Sequence, residues 1–170
     1  IHGVKVLGLK SRNGRRYIPE AVRKGARLYE KVSVRANHPK KANDSRSVME
    51  VFGWLEGVEV RDDGLYADLH ILNPRTELAE SVMNAAESAP HLFSLSHNAD
   101  GTTSVEDGVV VVHEINEVRS VDLVTDGATT GSLFESATPG RTMKLKALFE
   151  SVLLFKPQRR LIEKLYEDDI

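Results

Sequence analysis

The sequence predicts a mainly β fold with flanking helices, of α+β type, arranged as an antiparallel barrel or sandwich. Three observations carry this. At least six short strand-like runs precede residue 130, turn signals separate most of them, and only two segments in that span have helical periodicity. Strands that succeed one another through turns, with no helix after each, do not build a doubly wound sheet.

Val4 to Leu9 opens as a strand, and Ser11-Arg12-Asn13-Gly14-Arg15 follows as a tight turn in which Asn-Gly accepts positive φ. Pro19, suited to a first helical position, and Glu20, at the positive end of the dipole, start a helix. Its apolar residues Ala21, Val22, Ala26, Leu28 and Tyr29 run to about Lys31. Val32-Ser33-Val34 alternates and stops at Asn37-His38-Pro39, where proline ends ladder pairing. Residues 40–47 are polar and expected to be mobile. Val51 to Val60 and Leu65 to Leu72 form a hairpin around Asp63-Gly64, and Asn73-Pro74 caps a helix over 75–88 with a Leu78, Ala79, Val82, Met83, Ala86 stripe. Leu92 to His97, Val109 to Val112 and Ile115 to Val124 are the remaining strands, with a polar loop before Asp107-Gly108. Gly131 to Arg141 reads as a linker, and 144–155 and 158–167 as helices divided by Pro157. The expected division is therefore 1–136 as the β domain and 137–170 as linker and C-terminal helical tail.

With 23 Lys plus Arg against 25 Asp plus Glu, no global field recruits nucleic acid or an anionic membrane, so neither is expected as a partner. The basic runs near Lys10 to Arg16 and Arg23 to Arg35 lack interleaved aromatics and read as solvated faces. The absence of cysteine excludes disulfides and thiolate metal sites and fits a reducing, cytoplasmic compartment. No His-x-x-x-His spacing occurs, so the histidines and scattered carboxylates do not make a zinc pattern; no metal and no other cofactor is expected. No apolar run reaches the length that spans a bilayer, and the missing initiator methionine suggests N-terminal trimming.

A hydroxyl, an imidazole and a carboxylate are the three groups needed for serine acyl transfer, since a serine attacks only when a base held in one tautomer takes its proton. Ser96, His38 and Asp122 supply them from strands or strand ends. Asp122 interrupts an apolar strand, and a buried carboxylate requires a partner. Ser94 competes with Ser96 because residues two apart share a strand face, and His113 with Glu114 or Glu117 are alternative third members. His97 points to the opposite face from Ser96 if its strand is regular.

The ordered set Asn13-Gly14-Arg15-Arg16-Tyr17 with Pro19, Asn37-His38-Pro39, Gly53-Trp54-Leu55, Ser94-Leu95-Ser96-His97, Ser120-Val121-Asp122-Leu123-Val124 and Ala128-Thr129-Thr130 resembles the tailed-bacteriophage prohead (capsid maturation) proteases. The resemblance covers residues 4 to 136. It implies the fold of herpesvirus assemblins, an antiparallel β-barrel of about seven strands ringed by helices. It also implies His38 as general base and Ser96 as nucleophile, with Ser94 standing where glycine is commoner. Asp122 takes the third role by its placement beyond the nucleophile, and Gly127, Ala128, Thr129, Thr130 and Gly131 form the implied oxyanion loop.

Several such phage enzymes cut after Leu- or Ile-x-Glu. Six Leu-x-Glu triplets occur here, where random placement of 18 Leu and 15 Glu would give roughly 1.6. Leu-Phe-Glu-Ser is repeated, so Glu135/Ser136 and Glu150/Ser151 are the expected self-cleavage points, separating the tail. Arg119 and Arg141 are the expected sources of a basic pocket for the substrate Glu. The implied function is a serine endopeptidase that cleaves scaffold and major capsid proteins, and itself, inside the phage procapsid in the bacterial host cytoplasm; a homo-oligomer is compatible with it. The alternative is a non-catalytic β-barrel serving as a capsid or scaffold assembly module. An esterase ranks lower, since Gly-x-Ser-x-Gly is absent.

Overall fold

The structure is a computed structural model that describes residues 1–135. The expected linker and tail helices, with Ser136, Arg141, Glu150 and Ser151, lie outside the described residues.

Seven strands form one mixed sheet that curls into a half-barrel: β1 (Val4–Gly8), β2 (Arg15–Tyr17), β3 (Ser33–Ala36), β4 (Val51–Arg61), β5 (Gly64–Ile71), β6 (Ser94–Glu106) and β7 (Val109–Val124). The order is β1-β5-β4-β3-β7-β2, with β6 also on β7. Among the described residues two α-helices, α1 (Pro19–Gly25) and α2 (Glu77–Ser88), accompany it. The sheet is not wholly antiparallel, because β2 and β3 both pair parallel with β7. β6 occupies one edge of β7 along its whole length, leaving the other edge to β2 at Val110–Val112 and to β3 at Val121–Leu123. The chain from β2 through α1 to β3 thus advances alongside β7 in the same direction. Each parallel pair is joined by a long connection through several other elements rather than by one helix, so the sequence carries no strand–helix–strand rhythm to signal the pairing.

β2, three residues long, begins at Arg15, the last residue of the expected Ser11–Arg15 turn, and continues through Arg16 and Tyr17, for which no strand is expected. The expected polar loop over 98–106 is instead the outer half of β6. It pairs with β7 and, beyond the half-buried Asn98 and Ala99, is an arm of mostly exposed residues, so it has no apolar alternation to betray it. Asp107 and Gly108, at φ 49° and 77°, make its tight turn. The first helix is shorter than its periodicity implies: α1 ends at Gly25 and a 3₁₀ turn carries Ala26–Tyr29. In α2 the cap is Thr76, whose hydroxyl accepts the Ala79 N–H at 3.2 Å, rather than Asn73.

The inward faces supply a core of Val4, Val6, Leu7, Tyr29, Val34, Leu55, Leu65, Leu69, Leu95, Val121 and Leu123, each aliphatic side chain contributing about 1.5–3 kcal/mol on burial. Ala79 and Val82 of α2 join it. The core fixes the register of β3, β6 and β7, since a one-residue slip would turn these side chains outward. No helix among the described residues is long and apolar enough to cross a membrane.

Candidate active site

β7 is the scaffold on which the site is assembled. Asp122 lies directly opposite Ser96 in the β6–β7 ladder, so both side chains leave the sheet on one face. β3 runs along the other edge to Ala36, opposite Leu123. Asn37 then enters the left-handed region at φ 63°, a conformation asparagine tolerates, and its N–H donates to Leu123 C=O at 2.9 Å. This turn brings His38 back over the end of β7, and Pro39 restricts it to extended backbone.

Asp122 is completely buried and has three partners. His38 Nδ1 lies 2.6 Å from Oδ2, while Oδ1 accepts from Ser120 Oγ at 2.9 Å and from Arg46 Nη1 at 3.2 Å. A buried carboxylate with this set has its lost hydration replaced. An ionised carboxylate can only accept, so Nδ1 is the donor, and Nε2 of the neutral ring is left as an acceptor. His38 and Ser96 border one cleft of about 450 Å³, together with Arg15, Tyr17, Ala128 and Thr129. The Ser96 hydroxyl has no hydrogen-bond partner among the described residues, and only 6% of the residue is exposed.

The two serines have different surroundings. Ser94 is sealed from solvent, its hydroxyl accepts the Gly127 N–H at 2.7 Å, and it lies 3.4 Å from the Val124 carbonyl, to which it donates. It anchors the loop after β7, whereas Ser96 faces the cleft. The loop is held further by Thr130 Oγ1 donating to Leu95 C=O at 2.6 Å, by Arg12 N–H donating to Ala128 C=O at 2.8 Å, and by the Arg12 guanidinium donating to Gly127 C=O. A Cβ on Gly127 would stand 2.6 Å from both Ser94 Oγ and Thr130 Oγ1, so only glycine fits. Within the expected oxyanion loop the N–H groups of Gly127 and Gly131 are thus spent, on Ser94 and on Glu135 respectively. The amides of Ala128, Thr129 and Thr130 have no partner among the described residues, and Ala128 and Thr129 line the cleft.

Several expected residues lie elsewhere. His113 bonds Ser104 at 2.7 Å on the exposed arm, where Glu114 also lies, and Glu117 pairs with Arg119. Arg119 is bound to Asp100 and Glu117, so it is not an unpaired cation in the cleft. The cleft's arginine is Arg15, which has no carboxylate partner among the described residues. At Leu133-Phe134-Glu135, Leu133 is buried and donates its N–H to Phe93 C=O. Glu135 pairs with Lys5 at 3.0 Å, so this triplet is folded onto the domain.

His97 is not available as a base to Ser96. Its Nε2 lies 2.8 Å from the Tyr17 hydroxyl and its Nδ1 2.6 Å from that of Tyr29. Although the residue borders the cleft, burial lowers its pKa to about 4, helped by the charges of Arg15 and His38 and opposed by Asp122. Burial also raises both tyrosines, so they stay protonated. Ser120, Arg46 and this Tyr–His–Tyr cluster escape a reading of the sequence. Ser120 had a signal, being two residues from Asp122 on the same strand face. Among the described residues no cluster of His, Cys, Asp or Glu could hold a metal ion.

Comparison of this chain with protein-family models, with curated proteins and with solved structures finds no match.

Proposed function

We propose that this chain is a serine endopeptidase with Ser96 as nucleophile, His38 as general base and Asp122 as the orienting acid. The observation that carries the reading is the 2.6 Å His38–Asp122 bond beside an unpartnered Ser96 hydroxyl in one cleft. Ser96 Oγ attacks the scissile carbonyl carbon and its proton passes to His38 Nε2. Asp122 stabilises the imidazolium, and the oxyanion takes hydrogen bonds from the Ala128 and Thr129 amides. His38 then protonates the leaving amine, and water, activated by the same ring, frees the acyl group.

The finer reading is a prohead maturation protease with an assemblin-like barrel, acting on scaffold and major capsid proteins and on itself within the procapsid. Closure of the half-barrel is supported by the Lys10–Arg16 bridge and by Tyr17 N–H donating to Leu9 C=O at 2.8 Å, which join the continuation of β1 to β2. A preference for Glu before the cut bond is supported by Arg15, the cation without a carboxylate in the cleft. Arg119, engaged on the surface, does not serve this role.

The test is hydrolysis of a fluorogenic Leu-x-Glu peptide by the full chain, beside Ser96→Ala and with both proteins weighed by mass spectrometry. Wild type cleaves and Ser96→Ala, folded, does not. The Glu150–Ser151 bond is expected to be cut before Glu135–Ser136, because Leu133 and Glu135 are anchored. Equal masses, with no hydrolysis from either protein, would favour the non-catalytic assembly module instead.

A further inference from the structure

Resting on the proteolytic reading, we infer that Arg46 is the positioning residue that holds the base and its acid together as one unit. It lies in the stretch between β3 and β4 that carries His38 at its start. Its guanidinium reaches four acceptors. Nη1 binds Asp122 Oδ1 at 3.2 Å, on the oxygen that His38 does not use. Nη2 donates to the carbonyls of Ala36 at 3.2 Å and Asn37 at 2.7 Å, the two residues leading into His38. Nε pairs with Glu50, which closes the far end of the same stretch.

Four of the five N–H donors of the guanidinium are used. A planar guanidinium can serve two carboxylates and two carbonyls at once, whereas an ammonium has only three N–H donors on a single atom. The side chain is only 12% exposed, so its ion pair with the fully buried Asp122 is sheltered from screening. His38 itself is about half exposed and has no other hydrogen bond among the described residues. Without Arg46, the left-handed Asn37 and the chain after it keep the Asn37 N–H bond to Leu123, the His38–Asp122 bond itself, the Asn98 amide donating to Ala42 C=O at 2.9 Å and the Arg35 bond to Ser47, none of which joins Asp122 to the backbone leading into His38. Asp122 would keep Ser120 and His38 but lose its one permanent cation. Around the His38–Asp122 pair stand Arg46 from the connecting stretch, Ser120 from β7 and Ser96 from β6, while His97 interacts with both members through charge alone.

Arg46 does not touch the reacting atoms. Its effect should appear in kcat, through misplacement of the ring, and hardly in KM. A displacement of about 1 Å costs on the order of 10² in rate.

The experiment compares Arg46→Met, Arg46→Lys and Arg35→Met in the full chain. Arg35 also ties the same stretch, through Ser47 C=O at 3.3 Å, but has no bond to Asp122. Arg46→Met is expected to lower kcat on the order of 10²-fold with KM within about twofold. Arg46→Lys is expected to recover only part of that, added guanidinium ion to restore part of the activity of Arg46→Met, and Arg35→Met to match wild type. A second readout does not depend on hydrolysis: the downfield proton resonance of His38 Nδ1–H, recorded in a Ser96→Ala background, is lost or broadened in Arg46→Met and returns with guanidinium. Equal loss in Arg35→Met, or an unchanged resonance in folded Arg46→Met, overturns the inference. If wild type cleaves nothing, the proteolytic reading fails, and the resonance alone decides whether Arg46 holds the pair. Should Arg46→Met not fold, Arg46→Lys with and without guanidinium gives the same decision.

Discussion

Ser96 sits inside a ladder: β6 pairs with β7 over its 13 residues, and the loop that would receive the oxyanion is pinned from beneath by Ser94, Thr130 and Arg12. His38 occupies chain that has already left the sheet, turned by one left-handed residue and fastened by Asp122 and, through its neighbours, Arg46. The proposed nucleophile is therefore held by backbone and core, and the proposed base by side chains and charge. Damage on one side should spread through packing, whereas damage on the other should stay electrostatic and local.

The largest expected effect is on the charged side. Asp122→Asn removes the only ionised acceptor of His38 and takes from Arg46 one of its two carboxylates; kcat should fall by about 10³–10⁴ and stability by about 3 kcal/mol, read by peptide hydrolysis and urea denaturation. Next comes the packed side. Gly127→Ala forces a methyl group against Ser94 and Thr130, so the loop must shift. A rate loss of about 10²–10³ with a stability loss of about 1–3 kcal/mol is expected, and a variant with normal kcat would show that the loop donates nothing to the reaction.

The smallest effect concerns the Tyr17–His97–Tyr29 cluster. In the unfolded chain His97 takes a proton near pH 6.5, and in the fold only near pH 4. The unfolded state binds more protons between those values, so stability falls as pH drops from 6.5 to 4, by at most on the order of 3 kcal/mol. His97→Asn should flatten that part of the melting-temperature profile. An identical slope in the variant would assign the acid sensitivity to other groups.

What the sequence discloses follows the same divide. The β4–β5 hairpin is legible because alternation and Asp63-Gly64 agree, and Asp122 stands out because an acid in an apolar strand demands a polar partner. The strand end at His38 is legible from Pro39. Arg46 is not, since a polar stretch with an arginine reads as solvated until its carbonyl and carboxylate acceptors are assembled from three separate elements. The parallel pairing of β2 and β3 with β7 is equally silent, as is the outer half of β6, whose side chains meet water on both faces.

β7 is a pairing partner of β2, β3 and β6 alike, and it is the last strand of the described residues to be synthesised. Contacts between residues 34–36 and 121–123 close a loop of more than eighty residues, the kind of entropic cost that delays assembly. A nascent chain lacking Val121 to Val124 has Ser96 and His38 but no common strand to bring them into register. On the proposed function, hydrolysis would have to wait until β7 docks, so the order of translation would act as a timer.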